Sequence, residues 1–105
     1  MRPEIAQHLP ALRDLCIKHR IRELYLFGSA AKDDGSFDPV DSDVDLLVDF
    51  IDEHLGPWLK KYFDFKRDCE TLFDREVDVM MLGAPNKPHI VASINATKVH
   101  LYAAA

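Results

Sequence analysis

Three aspartates, Asp43, Asp45 and Asp78, are the side chains best suited to chemistry in this chain of 105 residues. Asp43 and Asp45 lie two positions apart in an alternating segment, so on a β-strand both side chains leave the same face, with Cα atoms roughly 6.5–7 Å apart. Carboxylates this close repel each other unless a cation lies between them. Asp78 lies in the otherwise apolar segment 77–82, where an acid without a partner costs free energy. A shared divalent cation relieves both problems, and Mg²⁺ suits the set because it binds a few carboxylates together with water and phosphate oxygens.

The pair Gly28-Ser29 directly follows the apolar segment 23–27 and is suited to holding phosphate. Glycine lets the backbone turn sharply and approach a ligand, while backbone N–H groups and the serine hydroxyl bind phosphate oxygens. Alone, such a pair is most often an ordinary turn. It gains meaning here because its strand is expected to neighbour the strand of Asp43. Lys32 follows about one helical turn later, where it either supplies positive charge to a triphosphate or is simply a solvated surface lysine.

The elements that must position these residues alternate between strands and helices. Residues 3–19 have a helical spacing, and Pro10 predicts a short turn followed by a helix that starts near it. Alternation or apolar runs predict strands over residues 23–27, 43–50, 77–82 and 99–102. The sum is a small sheet backed by helices, an α/β or α+β domain.

Two further helices are predicted after proline residues. One opens at Pro57, and the other runs from Pro88 through Ile94. The first helix has apolar positions that are expected to face the core: Leu59, Tyr62, Phe63, Cys69, Leu72 and Phe73.

The composition predicts one soluble domain that spans residues 1–105. Hydrophobic residues make up 48% and charged residues 30% of the chain, which is ordinary for a globular protein. No apolar run is long enough for a membrane span or a signal peptide, so we expect a cytoplasmic location. The net charge of −5 disfavours direct binding to nucleic-acid backbones.

Three segments resemble the minimal nucleotidyltransferases, a branch of the DNA polymerase β-like superfamily: LFGSAAK at 26–32, SDVDLLVDF at 42–50 and REVDVM at 75–80. The resemblance implies a short mixed sheet flanked by helices, without the accessory domains of larger relatives. It also implies transfer of a nucleoside monophosphate from a nucleoside triphosphate to a hydroxyl, with release of pyrophosphate and with two divalent metals, here Mg²⁺.

The same resemblance assigns roles to the residues that match its motifs. Gly28 and Ser29 become contacts to the nucleotide phosphates. Asp43 and Asp45 become ligands of both metals. Asp78 becomes a ligand of the catalytic metal and the activator of the acceptor hydroxyl, so the three aspartates are at once the catalytic residues and the metal ligands.

Many minimal members of this family are antitoxins of a HEPN-domain ribonuclease toxin, and some AMPylate a tyrosine of that toxin. The resemblance therefore implies ATP as the substrate and a HEPN toxin as the partner in a hetero-oligomer. Two alternatives stay open. The chain neutralises its toxin by binding alone and keeps the aspartates as a relic, or it transfers a nucleotide to a small molecule.

Apolar residues such as Trp58, Phe65 and Tyr102 are numerous for the core of so short a chain. We expect one exposed apolar patch that serves an interface. The alternative, equally compatible with the sequence, is that all three residues belong to the core.

Overall fold

The computed structural model describes residues 2–32, 37–38, 43–84 and 87–104. Its helices and strands, in chain order, are α1 Pro3–Ala6, α2 Leu9–Lys18, β1 Ile21–Phe27, β2 Val44–Phe50, α3 Lys60–Phe73, β3 Val77–Met81, α4 Pro88–Thr97 and β4 Val99–Ala103. Single 3₁₀ turns cover Gly28–Ala31 and Pro57–Leu59.

One four-stranded sheet organises the described elements, with the strand order β3-β2-β1-β4. β1 runs antiparallel to both β2 and β4, whereas β2 and β3 are parallel. Parallel neighbours need a long crossover connection, which α3 provides. The fold class predicted from the sequence, a small mixed sheet flanked by helices, is confirmed.

The two faces of the sheet have different partners, as the alternation in β2 predicts. Val44, Leu46 and Val48 are fully buried in the main core, which α1, α2 and α3 share. On the opposite face, Leu47 packs with Phe27 beneath Ile94 of α4. The aspartates of β2 lie on this second face, because residues one position apart on a strand point to opposite sides.

Side chains of α3 cover the outer edge of β3, the end strand of the sheet. Lys66 Nζ donates to the Val77 carbonyl at 2.7 Å, and Tyr62 Oη donates to the Val79 carbonyl at 2.7 Å. The Val77 N–H in turn donates to Glu70 Oε2 at 3.3 Å. An uncovered edge offers a template for pairing with other chains, so these bonds protect the strand that carries Asp78.

The orientation of two apolar residues at the start of α3 differs from the sequence prediction. Phe65, Cys69 and Phe73 fill the core at a spacing of four residues, but Leu59 and Phe63 are 45% and 54% exposed. Phe63 precedes Phe65 by two positions, which is about 200° around a helix. Because Phe65 faces the core, Phe63 points away from it. The prediction that Leu59 and Phe63 face inward is wrong.

The three aromatic residues considered for an interface have three different positions. Trp58 is 94% exposed, Phe65 is fully buried, and Tyr102 is half-buried against the main core. Trp58 and Leu59 both have left-handed φ angles, of 56° and 54°, at the turn that leads into α3. Of these three aromatic residues, only Trp58 is exposed. The neighbouring apolar residues Leu59 and Phe63 are exposed as well.

Other boundaries differ slightly from those predicted. β1 begins at Ile21, β2 begins at Val44 and α4 continues to Thr97. Between β1 and β2, residues 33–36 and 39–42 lie outside the described residues, and Gly28–Ala31 form a 3₁₀ turn directly after β1. Within the described ranges, no helix is long and apolar enough to cross a membrane.

The two phenylalanines of α3 offer a matched test of this packing. We expect Phe65→Ala to lower the free energy of unfolding by about 3–5 kcal/mol, because it leaves a cavity in the core. Phe63→Ala removes the same atoms from an exposed position, and we expect a change within about 0.5 kcal/mol. Urea unfolding followed by circular dichroism measures both. Equal losses would contradict the packing of α3 described here.

Candidate active site

The parallel pairing of β2 and β3 places two aspartates side by side. Asp45 and Asp78 are register partners and lie on the sheet face that α4 partly covers. The Asp78 carboxylate lies close enough to act on the charge of Asp45. Two carboxylates this close repel each other, and a proton or a cation between them relieves that repulsion.

The electrostatics of Asp45 reflect this crowding. Burial, the charge of Asp78, the ability of protonated Asp45 to donate a hydrogen bond to Asp78, and the charge of Asp43 together raise the pKa of Asp45 to about 6. Each cause disfavours the ionised form of the carboxyl group. Strongly perturbed carboxyl groups are typical of functional sites, because catalysis needs charges that an ordinary surface would not hold together.

Asp43 lies immediately before β2 rather than within it, and its side chain is half-buried. It is near enough to act on the charge of Asp45. Among the residues that the structure describes, no three carboxylate, histidine or cysteine side chains stand in position to hold a metal ion. The structure thus joins Asp45 to Asp78 directly and leaves Asp43 beside them, and the predicted metal roles of all three stay predictions.

Asp78 is exposed, although both neighbours in its strand, Val77 and Val79, are buried. The expectation of a costly acid within a buried run is therefore wrong. β3 is the end strand of the sheet and its second face borders open space, so Asp78 reaches solvent. The unfavourable feature of Asp78 is therefore its closeness to the Asp45 carboxylate, and not burial.

Asp45 and Asp78 are oxygen donors of the kind that a hard divalent cation binds. Asp45 and Asp78 offer carboxylate oxygens on one face, and a third carboxylate lies close by. A cation bound between them would offset the mutual repulsion of the carboxylates and favour the ionised form of Asp45. Mg²⁺ prefers oxygen ligands of this kind.

Gly28 brings the first turn after β1 against Asp45. It has a φ of +74°, and a Cβ at this position would overlap Asp45 Oδ2. Its N–H donates to Thr97 Oγ1 at 2.9 Å. Only glycine allows both the left-handed conformation and the close approach. The sequence predicted the sharp turn, while the tertiary structure shows that a carboxylate is what the backbone approaches.

Ser29 and Lys32 complete the residues predicted to contact a nucleotide. Ser29 is half-buried within the 3₁₀ turn, next to Gly28, and Lys32 is exposed just beyond it. No contact described in the structure distinguishes a nucleotide-binding Lys32 from a solvated surface lysine.

A cleft of about 470 Å³ opens beside the carboxylate pair, between α4 and the edge of the sheet. Asp45 and Asp78 lie on one side of it. Much of the remaining lining is apolar or aromatic: Phe27, Tyr62, Val79, Met80 and Ile90. The polar side chains that complete the lining are Lys66, His89 and Ser93. An open cleft with an apolar lining and a few polar groups is the usual form of a substrate site.

Sequence reasoning missed Thr97, His89 and Lys66. Lys66 and Tyr62 are four residues apart on one helix, which places them on one face, but nothing local says that this face meets β3. Thr97 follows the predicted end of its helix and bears no motif. Its contact with Gly28 arises only because α4 packs across the sheet.

The raised pKa of Asp45 has a consequence for stability. A carboxyl group with a raised pKa in the folded state contributes its stability below the unfolded pKa, near 3.9, and loses it as the pH rises through about 6. We therefore expect Asp45→Asn to stabilise the metal-free domain at pH 7.5 by on the order of 1–2 kcal/mol, after allowance for partial exposure, with no gain near pH 4. Thermal unfolding in a chelator measures this difference.

Asp49→Asn is the matched control, because Asp49 lies on the same face of β2 and pairs with Arg22 at 3.2 Å. An exposed pair of this kind contributes roughly 0–1 kcal/mol, so this variant should gain no stability. A pH-independent effect of Asp45→Asn would contradict the electrostatic explanation.

Gly28 and Gly83 provide a second matched pair. Both have positive φ angles, +74° and +88°, but a Cβ at Gly83 meets nothing within 4 Å. An alanine at either position has the backbone cost of about 1 kcal/mol, while only Gly28→Ala adds an overlap with Asp45. We expect Gly28→Ala to destabilise the domain by on the order of 2 kcal/mol more than Gly83→Ala in chemical denaturation. Equal effects would show that the turn does not press on the carboxylate.

Comparison with known proteins agrees with this geometry. Residues 11–105 match the family described as Polymerase beta, Nucleotidyltransferase. A proposed protein adenylyltransferase from Methanocaldococcus jannaschii is 27% identical over 84 residues, which cover 80% of this chain and 80% of that protein.

Solved structures share the fold. A proposed minimal nucleotidyltransferase has a TM-score of 0.67 at 26% identity, over 90% of each chain. A complex of a tri-AMPylated Shewanella oneidensis HEPN toxin with an MNT antitoxin has a TM-score of 0.63 at 15% identity, over 94% of this chain and 72% of the matching chain. Since the family match covers nearly all of the sequence, this chain belongs to the polymerase beta nucleotidyltransferase family.

Proposed function

We propose that this protein transfers AMP from ATP to a hydroxyl of a protein partner, a tyrosine of a HEPN ribonuclease toxin, and thereby acts as its antitoxin. The observation that carries the proposal is the Asp45–Asp78 pair on adjacent strands, beside the Gly28 turn. The relative from Methanocaldococcus jannaschii, a proposed protein adenylyltransferase, supports the choice of a protein acceptor. The AMPylated HEPN toxin in the structural relative supports the choice of partner and nucleotide.

Two Mg²⁺ ions are the proposed cofactors, with Asp43 and Asp45 as shared ligands and Asp78 as a ligand of one ion. Bound there, the ions would neutralise charge on the triphosphate and stabilise the attacking and leaving oxygens. In the transfer, the acceptor oxygen forms a bond to the α-phosphorus, the bond to pyrophosphate breaks, and the hydroxyl proton leaves the acceptor. Asp78 is the proposed proton acceptor, because it is exposed beside the cleft.

The residues of the first turn are proposed to hold the nucleotide. Gly28 allows the backbone to lie close to the carboxylates, and the Ser29 hydroxyl donates to a phosphate oxygen. Lys32, exposed just beyond the turn, adds positive charge near the triphosphate.

The cleft beside Asp78 suits an aromatic acceptor. Phe27, Met80 and Ile90 give it apolar walls, and Asp45 and Asp78 lie on one side. A tyrosine side chain entering between these walls brings its ring against apolar atoms and its hydroxyl toward the carboxylates. A small polar acceptor would leave most of this apolar lining uncovered, which favours a protein side chain.

A protein acceptor also needs a surface on which to dock. Trp58, Leu59 and Phe63 form an exposed apolar group at the start of α3. The ring of Phe63 lies 4.9 Å from that of Tyr62, which lines the cleft. Exposed apolar groups of this kind are typical of protein interfaces, and aromatic residues contribute strongly to them. The net charge of −5 suits a basic partner such as a ribonuclease.

A second function, neutralisation by binding alone, is favoured by the same exposed group, since docking there does not depend on the carboxylates. A double variant, Asp43→Asn with Asp45→Asn, separates the two functions. If neutralisation of the toxin is lost while the complex still forms, catalysis is required. If neutralisation persists with full complex formation, occlusion is sufficient.

The reaction itself is tested by mass. We expect the proposed partner, a HEPN toxin that this protein neutralises, to gain one or more AMP units in intact mass spectrometry after incubation with the protein, ATP and Mg²⁺. Asp45→Asn should abolish the gain, because it removes a carboxylate while keeping the side-chain shape. Asp49→Asn, on the same strand face, should retain it.

A wild-type protein that silences the toxin without adding AMP would overturn the enzymatic proposal in favour of occlusion. A protein that forms no complex with this toxin in solution would overturn the antitoxin proposal altogether.

A further inference from the structure

A short chain of hydrogen bonds connects α4 to the turn that follows β1. The Gly28 N–H donates to Thr97 Oγ1 at 2.9 Å, and the Thr97 hydroxyl donates to the Ser93 carbonyl at 2.7 Å. The hydroxyl proton is thus directed to Ser93, which leaves an oxygen lone pair of Thr97 to accept from Gly28. One side chain therefore joins the last turn of α4 to the first turn after β1.

The position of Gly28 matters because its backbone lies directly against the Asp45 side chain. An added Cβ would overlap Asp45 Oδ2, so the turn already lies in contact with this carboxylate. A shift of the turn by a few tenths of an ångström changes how closely the backbone and Asp45 approach each other. Glycine itself resists such a shift poorly, since its backbone is conformationally permissive.

α4 provides the fixed point for this contact. Ile94, one turn before Thr97, is buried with Phe27 and Leu47 in the second apolar cluster. Phe27 is the last residue of β1 and directly precedes Gly28. The apolar cluster therefore holds Phe27, and the hydrogen bond to Thr97 holds the next residue, Gly28. The Gly28 N–H is already engaged, and it therefore serves to locate the turn in this arrangement.

We propose that Thr97 is a positioning residue for nucleotide binding, which holds the Gly28-Ser29 turn at its contact with Asp45. Thr97 acts through Gly28 and is not a catalytic residue. The inference rests on the proposed function in one respect, that the nucleotide binds beside this turn.

The test uses three variants of the full chain. Thr97→Val keeps the shape of the side chain and removes the hydroxyl, and Thr97→Ser restores the hydroxyl. Thr71→Val is the matched control, because Thr71 Oγ1 also donates to the carbonyl four residues earlier, that of Arg67, at 3.1 Å. The control loses the same bond within a helix but lies on α3, far along the chain from the Gly28 turn.

Calorimetric titration with ATP and Mg²⁺ measures the effect on binding. We expect Thr97→Val to weaken the apparent affinity by about five- to tenfold, as for the loss of one hydrogen bond that orients a site, and Thr97→Ser to restore it to within about twofold. Thr71→Val should leave the affinity unchanged. Hydrogen exchange of the Gly28 amide, measured by NMR without nucleotide, should accelerate in Thr97→Val only.

Each result has a distinct meaning. If the wild type binds ATP and Thr97→Val binds it equally well, the positioning role is overturned while the proposed function stands. If Thr97→Val and Thr71→Val weaken binding alike, the effect is one of helix stability and the role is again overturned. If the wild type binds no nucleotide, the proposed function fails and this role fails with it, even if the exchange of the Gly28 amide responds as expected.

Discussion

Two carboxylates lie side by side on neighbouring parallel strands, Asp45 on β2 and Asp78 on β3. Such a pair is unfavourable in isolation, and burial together with the charges nearby raises the pKa of Asp45 to about 6. The repulsion must be offset elsewhere in the fold. The opposite faces of the same two strands do this, because Val44, Leu46, Val48 and Val77 are fully buried in the main core. The apolar face of β2 and β3 thus stabilises the two strands, and the opposite face carries the two carboxylates that repel each other.

The parallel pairing also determines what α3 must do. It provides the crossover that parallel strands require, and Phe65, Cys69 and Phe73 on its inner face close the core. Lys66 and Tyr62 then reach around the edge of β3 and bind its outward carbonyls. The same helix thus positions β3, covers its edge and contributes two side chains to the cleft beside Asp78. Stability and access to the site are provided by different faces of one element.

On the other face of the sheet, α4 has a comparable double role. Ile94 closes a small apolar cluster over Phe27 and Leu47, while Ile90 and Ser93 line the cleft. Covering only part of this face leaves the carboxylates accessible. Trp58, Leu59 and Phe63 are exposed at the start of α3, and the ring of Phe63 contacts that of Tyr62, which lines the cleft.

Much of the sheet could be predicted from the sequence, because its information is local. Alternation placed Val44, Leu46 and Val48 on one face and Asp45 on the other, and the structure agrees. The spacing of Asp43 and Asp45 and the glycine after β1 indicated metal and phosphate chemistry. The family match agrees with nucleotidyl transfer, and the metal ligands stay a prediction.

Tertiary structure decided the remaining features, since periodicity specifies a face but not what that face meets. The register of β2 against β3 made Asp78 the partner of Asp45, and the end position of β3 exposed it. The left-handed turn before α3 and the helical phase that follows turned Leu59 and Phe63 outward. Thr97 carries no local signal, because its bond to Gly28 exists only once α4 has packed across the sheet. Sequence determined which residues have the chemistry, and long-range packing determined which of them touch.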